Sequence, residues 1–189
     1  MYLFFDTETT GLPRNWKAPV SDLNNWPRLV QLAYLYYDEQ GNQIDSGDYI
    51  IKPEGFTIPT SVSKIHGITT ERAIAEGCVL KAVLQGFNSL IDEAGVLVAH
   101  NMSFDEKILG AEFLRMEMKN PIPAKQKICT MERTTNFCAI HGPYGYKWPK
   151  LSELHRKLFH CDFDEAHNAA VDITATAKCF WELQRMGKL

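Results

Sequence analysis

The chain has 189 residues, 45% of them hydrophobic and 23% charged, with a formal net charge of −3. This is enough for one globular domain, 1–189, with a core of its own, and no apolar run is long enough to span a membrane. The five scattered cysteines (Cys78, Cys129, Cys138, Cys161, Cys179) suit reduced thiols rather than a disulfide framework, so a cytoplasmic protein is expected.

The chain opens on an apolar, aromatic run that ends in Asp6-Thr7-Glu8-Thr9-Thr10-Gly11, rather than leading to a cleavage site. With a strand over residues 2–6, Asp6 and Glu8 project from one side of its end, because strand side chains repeat every two residues. Two carboxylates that close repel each other. The pair reads either as a solvated strand-to-loop turn or as part of a site for a hard divalent cation, which prefers oxygen ligands. Beyond a polar loop holding Pro13, Pro19 and Pro27, the β-rich run Leu29–Tyr37 predicts a second strand. A turn at 38–42 leads to a third strand over 43–52, and the three form an antiparallel meander.

Helical periodicity then predicts helices over 60–65, 69–75 and 79–93, the last with Val83, Leu84, Phe87, Leu90 and Ile91 on its apolar face. Residues 95–99 form a short buried strand ending at His100-Asn101. Ser103 is the predicted N-cap of a helix over 104–118, with Asp105 and Glu106 in its first turn. A last strand is expected over 127–130 and a short helix over 131–137. The segment 139–149 is expected to be an ordered loop, followed by helices over 151–159 and 167–186. Strands followed by alternating helix and strand indicate an α/β sandwich on a mixed sheet.

His167 and Asp172 open the closing helix. Five helical residues would set them roughly 140° apart, so they converge only if His167 lies in the non-helical lead into that helix. The neighbours of Asp172 (Ala169, Ala170, Val171, Ile173, Ala175) are apolar, and an unpaired carboxylate among them is costly to bury. Taken alone, Asp105 reads as a first-turn helix acid, and His66 reads equally as a helix C-cap before Gly67. His100 reads as a structural residue at a strand end. Cys138-x-x-His141 and His160-Cys161 offer only one close pair of zinc-type ligands, too few for a structural zinc site. The stretch 144–150, Tyr-Gly-Tyr-Lys-Trp-Pro-Lys, could bind nucleic acid, but a packed loop with solvated lysines is the preferred reading.

Three segments in order, Asp6-Thr-Glu8-Thr-Thr-Gly11, His100-Asn-Met-Ser-Phe104-Asp105 and His167-x-x-x-x-Asp172, resemble DEDDh-type 3′–5′ exonucleases of the ribonuclease H-like superfamily, which includes epsilon-type proofreading subunits. The stretch Ile65-His66-Gly67-Ile68-Thr69 is similar to the one such enzymes place between the first two motifs. The resemblance implies a ribonuclease H-like α/β fold, with a central mixed sheet of three antiparallel N-terminal strands plus two later ones, flanked by helices. It implies two divalent cations, Mg²⁺ or Mn²⁺, with Asp6 bridging them, Glu8 and Asp172 completing the first site and Asp105 supporting the second.

Elementary chemistry asks for the same parts, since phosphodiester cleavage needs an activated water, charge neutralisation and a stabilised leaving oxygen. The resemblance makes His167 the general base, an imidazole that takes a proton near neutral pH. It places the terminal nucleotide against the backbone of Thr7–Thr9 and the side chain of His66, with Leu12 and Phe104 as apolar stacking surfaces. Gly11 would let the backbone turn tightly beside it. Ser61 stands where an acidic residue can contact the terminal sugar in similar enzymes, which puts that contact in doubt.

The implied substrate is a single-stranded or frayed nucleic acid 3′ end, DNA favoured over RNA, in replication or repair, with a DNA polymerase subunit as a possible partner. The chain ends at Leu189 with no long tail, so such a partner would be docked rather than tethered. RNA trimming is the alternative within the enzyme class, and a catalytically silent nucleic-acid-binding module the alternative outside it. Net charge decides none of these, because carboxylates given over to metal leave a different balance.

Overall fold

A computed structural model describes residues 1–163 and 168–189. Its centre is a five-stranded sheet in the order β3-β2-β1-β4-β5, built from β1 (Tyr2–Thr9), β2 (Leu29–Tyr37), β3 (Gln43–Ile50), β4 (Val96–Ala99) and β5 (Gln126–Cys129). The first three strands pair antiparallel, while β4 lies parallel to β1 and β5 parallel to β4. The expected mixed sheet is therefore the observed one.

The period-two alternation of β1 decides which side chain meets which layer. Leu3 and Phe5 join a core with Leu84, Phe87 and Ile91 of α3 (Leu80–Glu93) and Ile108, Leu109 and Phe113 of α4 (Met102–Arg115). Phe4 faces the other way, into a smaller core with Val98 and with Ile173, Ala177 and Phe180 of α8 (Ala169–Arg185). All the β1 side chains named here are fully buried. Each such side chain contributes about 1.5–3 kcal/mol on burial, which pins the strand between two helical layers. Two short helices, α1 (Thr60–His66) and α2 (Thr70–Glu76), cover Val30 at the sheet's far flank, and α7 (Leu151–Phe159) packs on α8.

Several boundaries differ from the sequence reading, each for a local reason. β1 does not stop at Asp6: Asp6, Thr7 and Glu8 continue the ladder opposite Ala33, Leu32 and Gln31, and the register shifts only between Glu8 and Thr9. β3 ends at Ile50 rather than 52. Ser103 is not the cap of α4. Asn101 adopts the left-handed conformation (φ 71°, ψ 47°), which asparagine tolerates, and the helix is already under way at Met102.

The helix expected over 131–137 is split into α5 (Thr130–Arg133) and α6 (Thr135–Cys138). At the break, the Thr134 hydroxyl donates to the Thr130 carbonyl at 2.7 Å, a local bond that bends helices. The segment read as a loop contains a small hairpin, β6 (His141–Gly142) and β7 (Gly145–Tyr146). A 3₁₀ turn over Ile122–Ala124 was not foreseen. All five cysteines are free, Cys78 and Cys161 exposed and the others buried. Among the described residues no helix is long and apolar enough to cross a membrane.

Candidate active site at the sheet edge

Asp6 and Glu8 leave the same face of β1 as Phe4, which is the face covered by α8. Asp172 lies in the first turn of α8, and one carboxylate oxygen from each of Asp6, Glu8 and Asp172 falls within 4.8 Å of the others. Among the described residues this is the only such convergence of three or more histidine, cysteine or acidic side chains, so the Cys138–His141 and His160–Cys161 segments form no metal cluster there.

Asp105 approaches from the opposite layer. It sits in the first turn of α4, is 2% exposed, and accepts a 2.7 Å hydrogen bond from the hydroxyl of Thr7, the β1 residue between Asp6 and Glu8. The site thus straddles the end of β1, with one acid from each flanking helix.

Among the described residues no lysine, arginine or histidine forms an ion pair with Asp6, Glu8 or Asp105. Burial, followed by the charges of Asp105, Asp172 and Glu8, pushes the Asp6 carboxyl well above its ordinary value. Burial and then Asp172 push Glu8 up to about 7. Burial also raises Asp105 to about 7, against the pull of its hydrogen bonds from Thr7. Hard oxygen donors brought together where burial and mutual repulsion disfavour their ionised forms fit divalent cations.

The placement of Asp172 depends on contacts that sequence reading missed. Asn168 caps α8, its side-chain oxygen accepting from the backbone of Ala170 (3.0 Å) and Val171 (3.4 Å). The next amide, Ala169 N–H, donates to Gln31 Oε1 at 3.3 Å, and Gln31 Nε2 donates to Asp48 Oδ1 at 2.6 Å. Gln31 is the ladder partner of Glu8, so one buried amide fixes the start of α8 opposite the acidic strand. A lone glutamine inside the apolar run Leu29–Tyr37 was the available signal. His167 lies outside the described residues.

The other expected contact residues are placed as follows. Thr7 and Thr9 are buried, and the Thr9 hydroxyl donates to the Gly11 carbonyl at 2.6 Å, closing the turn that leaves the strand. Gly11 has φ 150°, a backbone conformation that side-chain-bearing residues rarely adopt. Leu12, next to it, is 72% exposed. Phe104 packs against Trp16, a loop residue not singled out from sequence, with ring centroids 5.7 Å apart.

His66 ends α1, and Gly67 in the left-handed conformation caps it. The His66 ring is buried, its Nδ1 accepts from Ile68 N–H at 3.2 Å, and burial holds its pKa below the usual value. Ser61 is exposed in the first turn of α1. His100 is a strut, with ring nitrogens 2.9 Å from Thr130 Oγ1 and 3.1 Å from the Pro149 carbonyl.

The family model RNase_T, described as exonuclease, matches residues 3–180. DNA polymerase III PolC-type from Streptococcus pyogenes serotype M2 (strain MGAS10270) is 30% identical over 177 residues, covering 94% of this chain and 11% of the relative. Its counterpart from serotype M5 (strain Manfredo) gives the same figures. The chain therefore spans about a tenth of these relatives' length. Among solved structures, E. coli Exonuclease I in complex with a dA16 oligonucleotide superposes with a TM-score of 0.75 at 20% identity, covering 97% of this chain and 40% of that one. The zinc-bound form of the E. coli ExoI–ssDNA complex gives 0.74 at 22%, covering 98% and 40%. At those identities the likeness establishes the fold.

Proposed function

The chain belongs to the exonuclease family, as the DEDDh-type resemblance implied, and from that premise we propose that it is a metal-dependent 3′–5′ exonuclease that removes nucleoside monophosphates from single-stranded or frayed DNA. The observation that carries the reading is the convergence of Asp6, Glu8 and Asp172 at the end of β1, with Asp105 close enough to raise the Asp6 pKa. Asp6, Glu8, Asp105 and Asp172 would hold two divalent cations, Mg²⁺ or Mn²⁺. When bound, the cations supply charge neutralisation at the phosphate and favour ionisation of an attacking water.

The chain's own side chains do the rest. Thr7 fixes the Asp105 carboxylate through its hydroxyl, and Gln31 and Asn168 fix the turn of α8 that carries Asp172. His167, which precedes the Asn168 cap in sequence, is the proton acceptor for the attacking water. Water adds to the terminal phosphorus, the bond to the preceding 3′ oxygen breaks, and that oxygen takes up a proton. Leu12 and Phe104, with Trp16 beside it, offer apolar surfaces to the terminal base, and His66 with the Thr7–Thr9 backbone contacts the terminal nucleotide.

DNA is favoured over RNA because the similar proteins are named as a DNA polymerase III and as an exonuclease crystallised with DNA. A polymerase subunit is the corresponding protein partner, and a cytoplasmic setting accords with five free thiols. A silent binding module would not need desolvated carboxylates kept at this cost.

The test is a 5′-labelled oligonucleotide incubated with Mg²⁺ or Mn²⁺, with EDTA and Asp6→Asn as controls. Stepwise shortening from the 3′ end, absent in both controls, is expected. No shortening of DNA or RNA with either metal would overturn the reading.

A further inference from the structure

The segment between α6 and α7 is not used by the chemistry above, and it is not the packed loop that its sequence suggested. β6 and β7 pair His141 with Tyr146 and Gly142 with Gly145, so the chain reverses over Pro143-Tyr144. Proline pre-sets the turn, and Gly145 takes a positive φ of 116°. The reversal leaves Tyr144 fully exposed at the tip, with Trp148 at 62% and Tyr146 at 48% exposure close behind it. Single exposed apolar residues are ordinary. Three aromatic rings within five residues on one turn are not.

The base of this hairpin is braced. Lys147 N–H donates to the Ile140 carbonyl at 2.9 Å, and the Lys147 ammonium reaches both oxygens of Glu153 at 2.7 Å. Glu153 Oε2 also accepts Lys150 N–H at 2.8 Å, at the start of α7. On the other side His100 holds the Pro149 carbonyl. A carbonyl only accepts, so Nε2 is the donor and Nδ1 of the neutral ring accepts the Thr130 hydroxyl. Burial supports that state by pushing the His100 pKa down to about 4.

His100 follows β4, which lies beside β1 and parallel to it. The brace therefore joins the base of the aromatic hairpin to the strand beside β1, at the end of the sheet where Asp6 and Glu8 lie.

Resting on the exonuclease reading, we propose that the 141–150 hairpin is a stacking platform for the single strand 5′ of the nucleotide being removed, with Tyr144 and Trp148 receiving successive bases. The observations favour nucleic acid over a protein partner for three reasons. The base of the hairpin is braced while the faces of Tyr144 and Trp148 stay open, exposed Lys150 lies two residues from Trp148, and His100 ties the hairpin to the strand beside β1. Aromatic stacking accepts every base, as an enzyme that removes nucleotides in succession requires. The formal net charge of −3 makes stacking, rather than a broad cationic surface, the means of holding the strand.

The experiment compares wild type with the Tyr144→Ala/Trp148→Ala double variant and a Tyr144→Phe/Trp148→Phe pair. Substrates are a dinucleotide and a strand of about twenty nucleotides, longer than a typical single-strand site. The gain in kcat/KM from dinucleotide to long strand should fall roughly 5–150-fold per lost stack in the alanine variant, through KM, and return in the phenylalanine variant. An undiminished gain, or equal losses on both lengths, would overturn the proposal and leave the tip to a protein partner or to the fold.

Binding of a fluorescein-labelled strand in EDTA separates this from the reaction itself. Weaker binding by the alanine variant sustains the platform even if no cleavage occurs, whereas equal binding overturns it.

Discussion

Glu112 and Asp6 are both carboxylates held against the central sheet, one on α4 and one on β1, and their surroundings differ in what answers the charge. Glu112 has no exposed surface, yet its Oε1 accepts from Arg28 Nε at 2.9 Å and from Leu29 N–H at 2.9 Å, with Arg115 Nη1 3.0 Å away. Arg115 in turn donates twice through Nη2, to the carbonyls of Leu23 and Trp26. The protein supplies that counter-charge itself and uses it to fasten the loop between β1 and β2. Around Asp6 the neighbours that shift its pKa are three further carboxylates, all acting against ionisation. A buried charge met by guanidinium is a structural joint; a cluster met by more carboxylate implies a cation from outside.

The largest effect that would sharpen this contrast separates neutralisation from proton transfer. His167→Ala should slow cleavage roughly 10²–10⁴-fold, the span of a general base, while leaving the thermal shift produced by Mg²⁺ in place. Loss of that shift with an unchanged saturated rate would assign His167 to metal binding instead.

Next, the two carboxylates should respond to neutralisation with opposite signs. Glu112→Gln strands two guanidiniums and should destabilise by about 3–5 kcal/mol, read from the urea midpoint. Asp6→Asn removes repulsion and should stabilise the metal-free protein, at the cost of activity. Equal destabilisation by both would break the comparison.

A smaller effect is expected in the pH dependence. Burial and the charge of Asp172 push Glu8 in the folded protein up to about 7, above the ordinary 4.5 of a glutamate, so the folded state keeps a proton that the unfolded state releases. In EDTA its contribution favours folding below pH 4.5 and is lost as pH rises to about 7. Glu8→Gln should flatten that slope, and Mg²⁺ should offset it by favouring the ionised form. An identical slope in wild type and variant would remove Glu8 from the cluster. Smallest of all, Asn168→Ala should cost about 1 kcal/mol in stability as a lost cap and raise KM for the metal by misplacing Asp172. No change in either would show that Gln31 alone suffices.

What the sequence made legible follows from its periodicities. The β-rich apolar run Leu29–Tyr37 and the spacing of Leu84, Phe87 and Ile91 require no partner to be recognised, and those elements lie where expected. The end of β1 was less legible, because Asp6-Thr7-Glu8 is polar, and only the ladder to Ala33, Leu32 and Gln31 shows that it remains strand. Asp105 could be read as a helix-start acid, but its hydrogen bond to Thr7 spans 98 residues of chain and depends on the layers meeting. The same holds for Gln31 with Ala169, 138 residues apart, and for the Arg28–Glu112 joint. Hairpin 141–146 lies in a segment read as an ordered loop from its glycine and proline, and nothing local says whether its rings are buried.

The most direct test of the carboxylate cluster as a cation site is a thermal melt of wild type and Asp6→Asn, each in EDTA and in saturating Mg²⁺. The variant should melt higher than wild type in EDTA. Mg²⁺ should raise wild type alone, by about 2.7 kcal/mol of stability at a hundredfold excess over Kd. A wild type indifferent to Mg²⁺ and to Mn²⁺, or a variant that melts lower in EDTA, would contradict it.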